Sequence, residues 1–261
     1  MTTKAFRKDI ASLALPKGRK KLGAFVAEGT KCVLDTISYF TLRHLIATPS
    51  WIAEHQNVVA RNDVTDKLIE ANRGEIGEMS SLALAPDVMA VFEIPADIIL
   101  QPQMLENQLV LALDRIQDPG NLGTILRTAD WMGITTVLAS AETADCFNPK
   151  AVQASMGAIS RVKVIYGDLC EMLDAFARSV PIYGTFLGGN NIYTTPLSPN
   201  GIVVMGNEGR GISAEIERYI SQRLFIPPYP EGRQTSESLN VATATAIVLS
   251  EFRARSICKN F

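Results

Sequence analysis

From residue 108 onward the sequence alternates short apolar runs with helical patterns so regularly that it constrains the fold class. "LVLALD", "ITTVLA", "RVKVIY", "PIYGTF", "GIVVMG" and "LFIP" are each about the length of one buried strand. Between the first two, Leu122, Ile125, Leu126 and Ala129 recur at spacings of 3 and 4, the period of a helix face. Near-continuous apolar runs suit strands covered on both sides, and intervening helices supply both the cover and the crossover between parallel neighbours. The pattern predicts an α/β domain built on a mostly parallel sheet. In such sheets ligands gather beyond the carboxyl ends of the strands, so residues just after each run are the first candidates for chemistry.

The earlier part reads differently. A helix is expected through "EGTKCVLDTISY" and strands through "HLIATP" and "VMAVFEI", a smaller mixed α/β unit. Two prolines and a polar stretch interrupt the pattern around Pro95 to Gln108, which predicts a linker. With 261 residues, more than one usual domain length, the chain is expected to hold an N-terminal domain and linker over 1–104 and a larger domain over 105–261. The formal net charge of −2 hides a segregation. Residues 1–31 carry eight Lys or Arg against Asp9 and Glu28, and Lys17, Arg19, Lys20 and Lys21 lie within five positions. Such a cluster can neutralise phosphates, which makes Arg19, Lys20 and Lys21 candidate phosphate contacts; the plainer reading is a solvated terminal segment.

No apolar run approaches the ~18 residues a membrane span needs, and "MTTKAFRKDI" has no signal-peptide core, so a cytoplasmic protein with no membrane partner is expected. Cys32, Cys146, Cys170 and Cys258 are far apart, a spacing that suits reduced structural thiols and not a metal site.

Three segments that follow strands carry the chemical signal. "DPGNLGTILRTADWMG" places Asp118, Pro119, Gly120 and Asn121 at a turn opening a helix, whose free N–H groups favour an anion or polar edge. Arg127, opposite the apolar stripe, offers a planar fork for phosphate or oxyanion; alternatively it is a surface arginine. In "VVMGNEGRGIS", three glycines in six residues call for close approach of backbone to a ligand or another segment, and Glu208 is held inside the loop. In "IPPYPEGRQTSESLNVATATAIVLSEF", Ser238 and Asn240 stand where a helix begins and could simply cap it. The small residues from Ala242 to Ala246 allow close packing against a helix or a second subunit. Both histidines, His44 and His55, fall in the N-terminal part, so the α/β domain has no imidazole base, and no phosphate-loop or dinucleotide fingerprint occurs.

Together these segments resemble the SpoU/TrmH branch of the SPOUT RNA 2′-O-ribose methyltransferases. Its three motifs are similar to "DPGNLGTILRTA", "MGNEGRGIS" and "IP...ESLNVATA", in the same order, and "FNPKAVQASMGAI" between the first two also resembles the family. Residues 15–95 more loosely resemble its small N-terminal substrate-binding domain. The resemblance implies an α/β domain with a C-terminal trefoil knot, S-adenosylmethionine as cofactor, a ribose 2′-hydroxyl of ribosomal or transfer RNA as acceptor, and a homodimer. It implies a catalytic set of Asn121, Arg127, Glu208, Ser238 and Asn240, with Glu208 positioning Arg127 and Asn121. Thr185, Gly206, Ile226 and Leu239 would form the cofactor pocket. Motif 3 departs from the family pattern by four additional residues and by Pro228 in place of Met. A catalytically silent RNA-binding assembly factor is the alternative such a departure leaves open.

Overall fold

The computed structural model describes residues 2–96, 100–101, 105, 107–177, 179–230 and 236–258. In chain order the first elements are α1 (Lys4–Ser12), α2 (Pro16–Leu22), β1 (Ala24–Glu28), α3 (Thr30–Thr36), β2 (Leu42–Ala47), α4 (Pro49–Glu54), α5 (Gln56–Val59), α6 (Asn62–Thr65), β3 (Leu68–Glu70), α7 (Arg73–Met79) and β4 (Val88–Glu93). There follow β5 (Leu109–Leu113), α8 (Pro119–Trp131), β6 (Thr136–Ser140), α9 (Pro149–Ser155), β7 (Lys163–Gly167), α10 (Leu169–Asp174), β8 (Ile182–Asn191), β9 (Gly201–Met205), α11 (Ala214–Glu217), β10 (Gln222–Phe225) and α12 (Val241–Cys258). These form two compact units, Met1–Ala96 with Asp145–Ser160, and Asp97–Ala144 with Arg161–Phe261. The division is not a single cut near residue 104, because α9 packs on β1 of the first unit. Part of the expected linker, 97–99, 102–104 and 106, lies outside the described residues.

The first unit holds a four-stranded sheet in the order β1-β4-β2-β3, with only β2 and β3 parallel. One core comprises Ile10, Leu13, Val26, Ile46, Ile76 and Met89 among others. An aromatic cluster of Phe25, Phe40, Phe92 and Phe147 brings in the 145–160 segment, with the Phe25 and Phe147 rings 4.7 Å apart. The N-terminus of α7 is closed by a capping box: Asn72 Oδ1 accepts from the Glu75 N–H, and Glu75 Oε2 accepts from the Asn72 N–H.

The second unit holds six parallel strands in the order β10-β8-β9-β5-β6-β7. Central strands β5, β6 and β9 are buried at every residue, while the edge strands β7 and β10 are not, which matches a sheet covered on both faces. Strand β8 runs further than "PIYGTF" suggests. Its pairing with β10 jumps from Gly184 to Asn190 between Arg223 and Leu224, so residues 185–189 bulge from the ladder. After β10, at the sheet edge, the chain comes back to α8, against which α12 packs. None of the described helices is long and apolar enough to cross a membrane.

Candidate active site

Because the six strands are parallel, the three motif segments emerge from the same edge of the sheet. Helix α8 begins at Asp118, whose carboxylate accepts the Asn121 N–H at 2.8 Å, with Pro119 in the first turn. That cap fixes the backbone of Asn121 and leaves its amide free to reach outward. Asn121 Nδ2 donates to Glu208 Oε1 at 2.9 Å, and Asn121 Oδ1 accepts from Asn240 Nδ2 at 3.0 Å. Asn240 also caps α12, its Oδ1 accepting the N–H groups of Ala242 at 2.9 Å and Thr243 at 3.3 Å. The capping and functional readings of Asn240 are therefore compatible: one end of the amide holds the helix, the other holds Asn121. A continuous relay, Asn240 to Asn121 to Glu208, ties together one residue from each motif.

Arg127 and Ser238 stand apart from this relay. Arg127 is exposed on α8, and among the described residues no hydrogen bond or ion pair engages its guanidinium. Glu208 thus holds Asn121 but not Arg127 within the described chain. Trp131, one turn on from Arg127, is 87% exposed. Ser238 is exposed two residues before Asn240, and its carbonyl accepts from Ser236 Oγ at 3.3 Å.

Of the four residues expected at the cofactor pocket, Gly206 and Ile226 come directly after β9 and β10, Thr185 lies within β8, and Leu239 stands two residues before α12. Thr185 is half-buried at the point where β8 leaves the ladder, its hydroxyl directed to the Val204 carbonyl at 3.4 Å. Gly206 follows β9 directly. A Cβ there would lie 2.3 Å from the Gly211 carbonyl carbon and the Ile212 nitrogen, so the absent side chain lets the motif 2 loop fold back on itself. Ile226 follows β10 and is half-buried, and Leu239 is 48% exposed.

Two residues missed in the sequence shape the site from behind. Asp114, buried at the end of β5, accepts the Ser213 N–H at 2.6 Å and pairs with Arg115 at 3.1 Å. Asn207 Nδ2 donates to the Arg115 carbonyl at 2.7 Å. The available signals were an acid closing the apolar run "LVLALD" and an asparagine in a glycine turn.

The basic cluster divides. Arg19 is 1% exposed: it pairs with Asp145 at 2.7 Å and donates to the carbonyls of Leu13 at 2.9 Å and Ala14 at 3.1 Å. A guanidinium enclosed in this way cannot reach a phosphate, so the expectation of an RNA contact at Arg19 is corrected. Lys17, Lys20 and Lys21 are exposed.

Residues 108–250 match the SpoU rRNA Methylase family. The chain belongs to that family. SpoU relatives include the 23S rRNA (guanosine(2553)-2′-O)-methyltransferase RlmP of Bacillus subtilis, 36% identical over 168 residues, 62% of this chain and 66% of that enzyme, just under two thirds of its length. A TrmH-family RNA methyltransferase structure from Porphyromonas gingivalis superposes with a TM-score of 0.86 at 39% identity, covering 98% of this chain and 99% of that one. The AdoMet-bound rRNA methyltransferase of Sinorhizobium meliloti superposes with a TM-score of 0.81 at 30% identity, covering 98% and 97%. The SpoU match takes in all three motif segments and the relay residues Asn121, Glu208 and Asn240.

Proposed function

We propose that the protein methylates a ribose 2′-hydroxyl of ribosomal RNA, with S-adenosylmethionine as methyl donor. The observation that carries this reading is the Asn240–Asn121–Glu208 relay at the start of α8, the helix that also bears an exposed arginine, Arg127, with no partner among the described residues. When bound, the cofactor supplies a methyl group activated by a sulfonium. Thr185, Gly206, Ile226 and Leu239 would hold it. The relay fixes the carboxylate and amides of three loops in one orientation, a preorganised polar edge for the ribose. Arg127 would hold the adjoining phosphate and stabilise the negative charge on the 2′-oxygen, which loses its proton to solvent and takes the methyl group as the sulfonium gives it up and leaves as a neutral thioether. A guanidinium is a hydrogen-bond donor with no acceptor lone pair to offer, so its contribution is electrostatic. The names of the relatives favour ribosomal over transfer RNA.

The exposed Lys20 and Lys21 supply phosphate contacts from the first unit. A homodimer is also part of this reading, but its basis shifts. Ala242 and Thr245 are buried within the chain, where α12 packs on α8, so the exposed Trp131 end of α8 is the better contact for a second copy. Return of the chain from edge strand β10 to α8 supports the trefoil threading, and a cytoplasmic location is part of the same reading.

Calorimetry with S-adenosylmethionine, followed by transfer of labelled methyl to ribosomal RNA and mapping of the modified ribose, tests the proposal. Saturable cofactor binding with one 2′-O-methylated nucleotide is expected. Cofactor-independent RNA binding without any methyl transfer would overturn it in favour of a silent assembly factor.

A further inference from the structure

We propose that Asn207 is a positioning residue for Glu208, acting by locking the motif 2 loop onto the end of β5. The inference rests on the functional reading only in giving Glu208 a part in the reaction; the lock itself is a matter of geometry. Asn207 uses both ends of its amide. Its Oδ1 accepts the N–H groups of Gly209 and Arg210, each at 3.0 Å, and its Nδ2 donates to the Arg115 carbonyl at 2.7 Å. Its backbone exchanges two hydrogen bonds with Gly211, at 3.0 and 2.9 Å, closing the loop that the missing side chain of Gly206 makes possible. At the far end of the loop the Ser213 N–H is held by the buried Asp114 carboxylate. Glu208 therefore sits in a loop anchored on both sides to the two consecutive residues that follow β5.

The anchor itself is unusual. Arg115 is a non-glycine residue with φ of 58°, a conformation that costs an L-residue of ordinary shape free energy and persists only where neighbours over-determine it. Those neighbours are present: Ser140 Oγ accepts the Arg115 N–H at 3.0 Å, Asp114 holds its side chain at 3.1 Å, and Asn207 takes its carbonyl. The left-handed turn is what aims that carbonyl at motif 2 while the chain proceeds to Asp118 and Asn121. Strain at Arg115 thus sets the distance between the loop carrying Glu208 and the helix carrying Asn121, which the relay bond at 2.9 Å requires.

The experiment uses the full chain and two substitutions. Asn207→Asp is isosteric and keeps the Oδ1 acceptor but loses the donor to the Arg115 carbonyl; Asn207→Ala loses both. Hydrogen exchange of the Gly209, Arg210 and Gly211 amides should quicken at least tenfold in Asn207→Ala, with those of β9 and α8 unchanged. Single-turnover methyl transfer should fall about tenfold in both variants while the KM for RNA stays within threefold. In a Glu208→Ala background, where no carboxylate remains to be positioned, Asn207→Ala should cost less than a further threefold. Unchanged exchange, or full additivity with Glu208→Ala, overturns the proposal. If the unaltered protein transfers no methyl group, the functional reading fails, whereas the exchange measurement still decides whether the lock exists.

Discussion

Exchanging the polarity of the relay tests it most directly, because Asn121→Asp alters no volume. In the native arrangement Asn121 donates to Glu208 at 2.9 Å and accepts from Asn240 at 3.0 Å. Aspartate keeps the second bond and replaces the first with an oxygen facing a carboxylate. A hydrogen bond to a charged acceptor is worth ~1.5–3 kcal/mol, and exposure of Glu208 argues for ~1 kcal/mol here. Two like charges about 4 Å apart in water add ~1 kcal/mol of repulsion. The sum of about 2 kcal/mol, if expressed fully in the transition state, is a fall of about 30-fold in methyl transfer. Glu208→Gln alone should be mild, about threefold, since the amide oxygen still accepts from Asn121. The informative variant is the double one. With a carboxylate as acceptor at position 121 and an amide as donor at position 208, the hydrogen bond is restored in reverse. Asn121→Asp combined with Glu208→Gln should therefore be at least fivefold more active than Asn121→Asp alone. Single-turnover assays at saturating cofactor and RNA read the chemical step. A double variant no better than Asn121→Asp would refute the relay as the organising contact and leave Asn121 with some other duty.

Four further outcomes follow from the geometry. Arg127→Lys keeps the charge but loses the planar fork, and single-turnover transfer should drop by ~100-fold with cofactor affinity little changed; near-normal rates would reduce Arg127 to a replaceable phosphate anchor. Lys20→Ala with Lys21→Ala should flatten the salt dependence of RNA binding by about 0.9 log units per lost duplex contact. Arg19→Met should leave that slope alone and instead destabilise the first unit by about 2 kcal/mol in denaturant titration, a figure lowered for the 38% exposure of Asp145. The Glu75 carboxyl is held down at about 2 by the Asn72 N–H, with help from Thr2. Its folded pKa lies below the ordinary 4.5, so its stabilisation is present above pH ~4.5 and is lost as pH falls towards about 2. Glu75→Gln should flatten the stability profile across that window, and an unchanged profile would show the capping box contributes nothing.

The apolar runs were legible because period and burial go together in a parallel sheet: Leu109–Leu113 and Gly201–Met205 are buried throughout, as their composition requires. The motif residues were legible from resemblance, and from their place after strands. Arg19 was not, since its partner Asp145 lies 126 positions away and a run of four cations gives no sign that one of them turns inward. Asn207 was missed for the opposite reason: it sits next to the more conspicuous Glu208, and its partner is a backbone carbonyl, which no sequence pattern marks. The length of β8 escaped because residues 185–189 leave the ladder, breaking the alternation that would have announced a continuing strand.

The first unit borrows Asp145–Ser160 from the middle of the chain, and this has a consequence for how such a protein is made and varied. During synthesis at ~5–20 residues per second, roughly 3–13 s separate the appearance of Ala96 from that of Ser160. For most of that interval Phe25 lacks Phe147, and β1 lacks the helix that covers it. The nascent unit leaves that apolar surface uncovered until the later segment arrives. The same split limits recombination, because exchanging this unit between relatives takes two matched crossovers, with Asp145 travelling alongside Arg19. A single junction near residue 97 would separate the buried cation from its counter-charge.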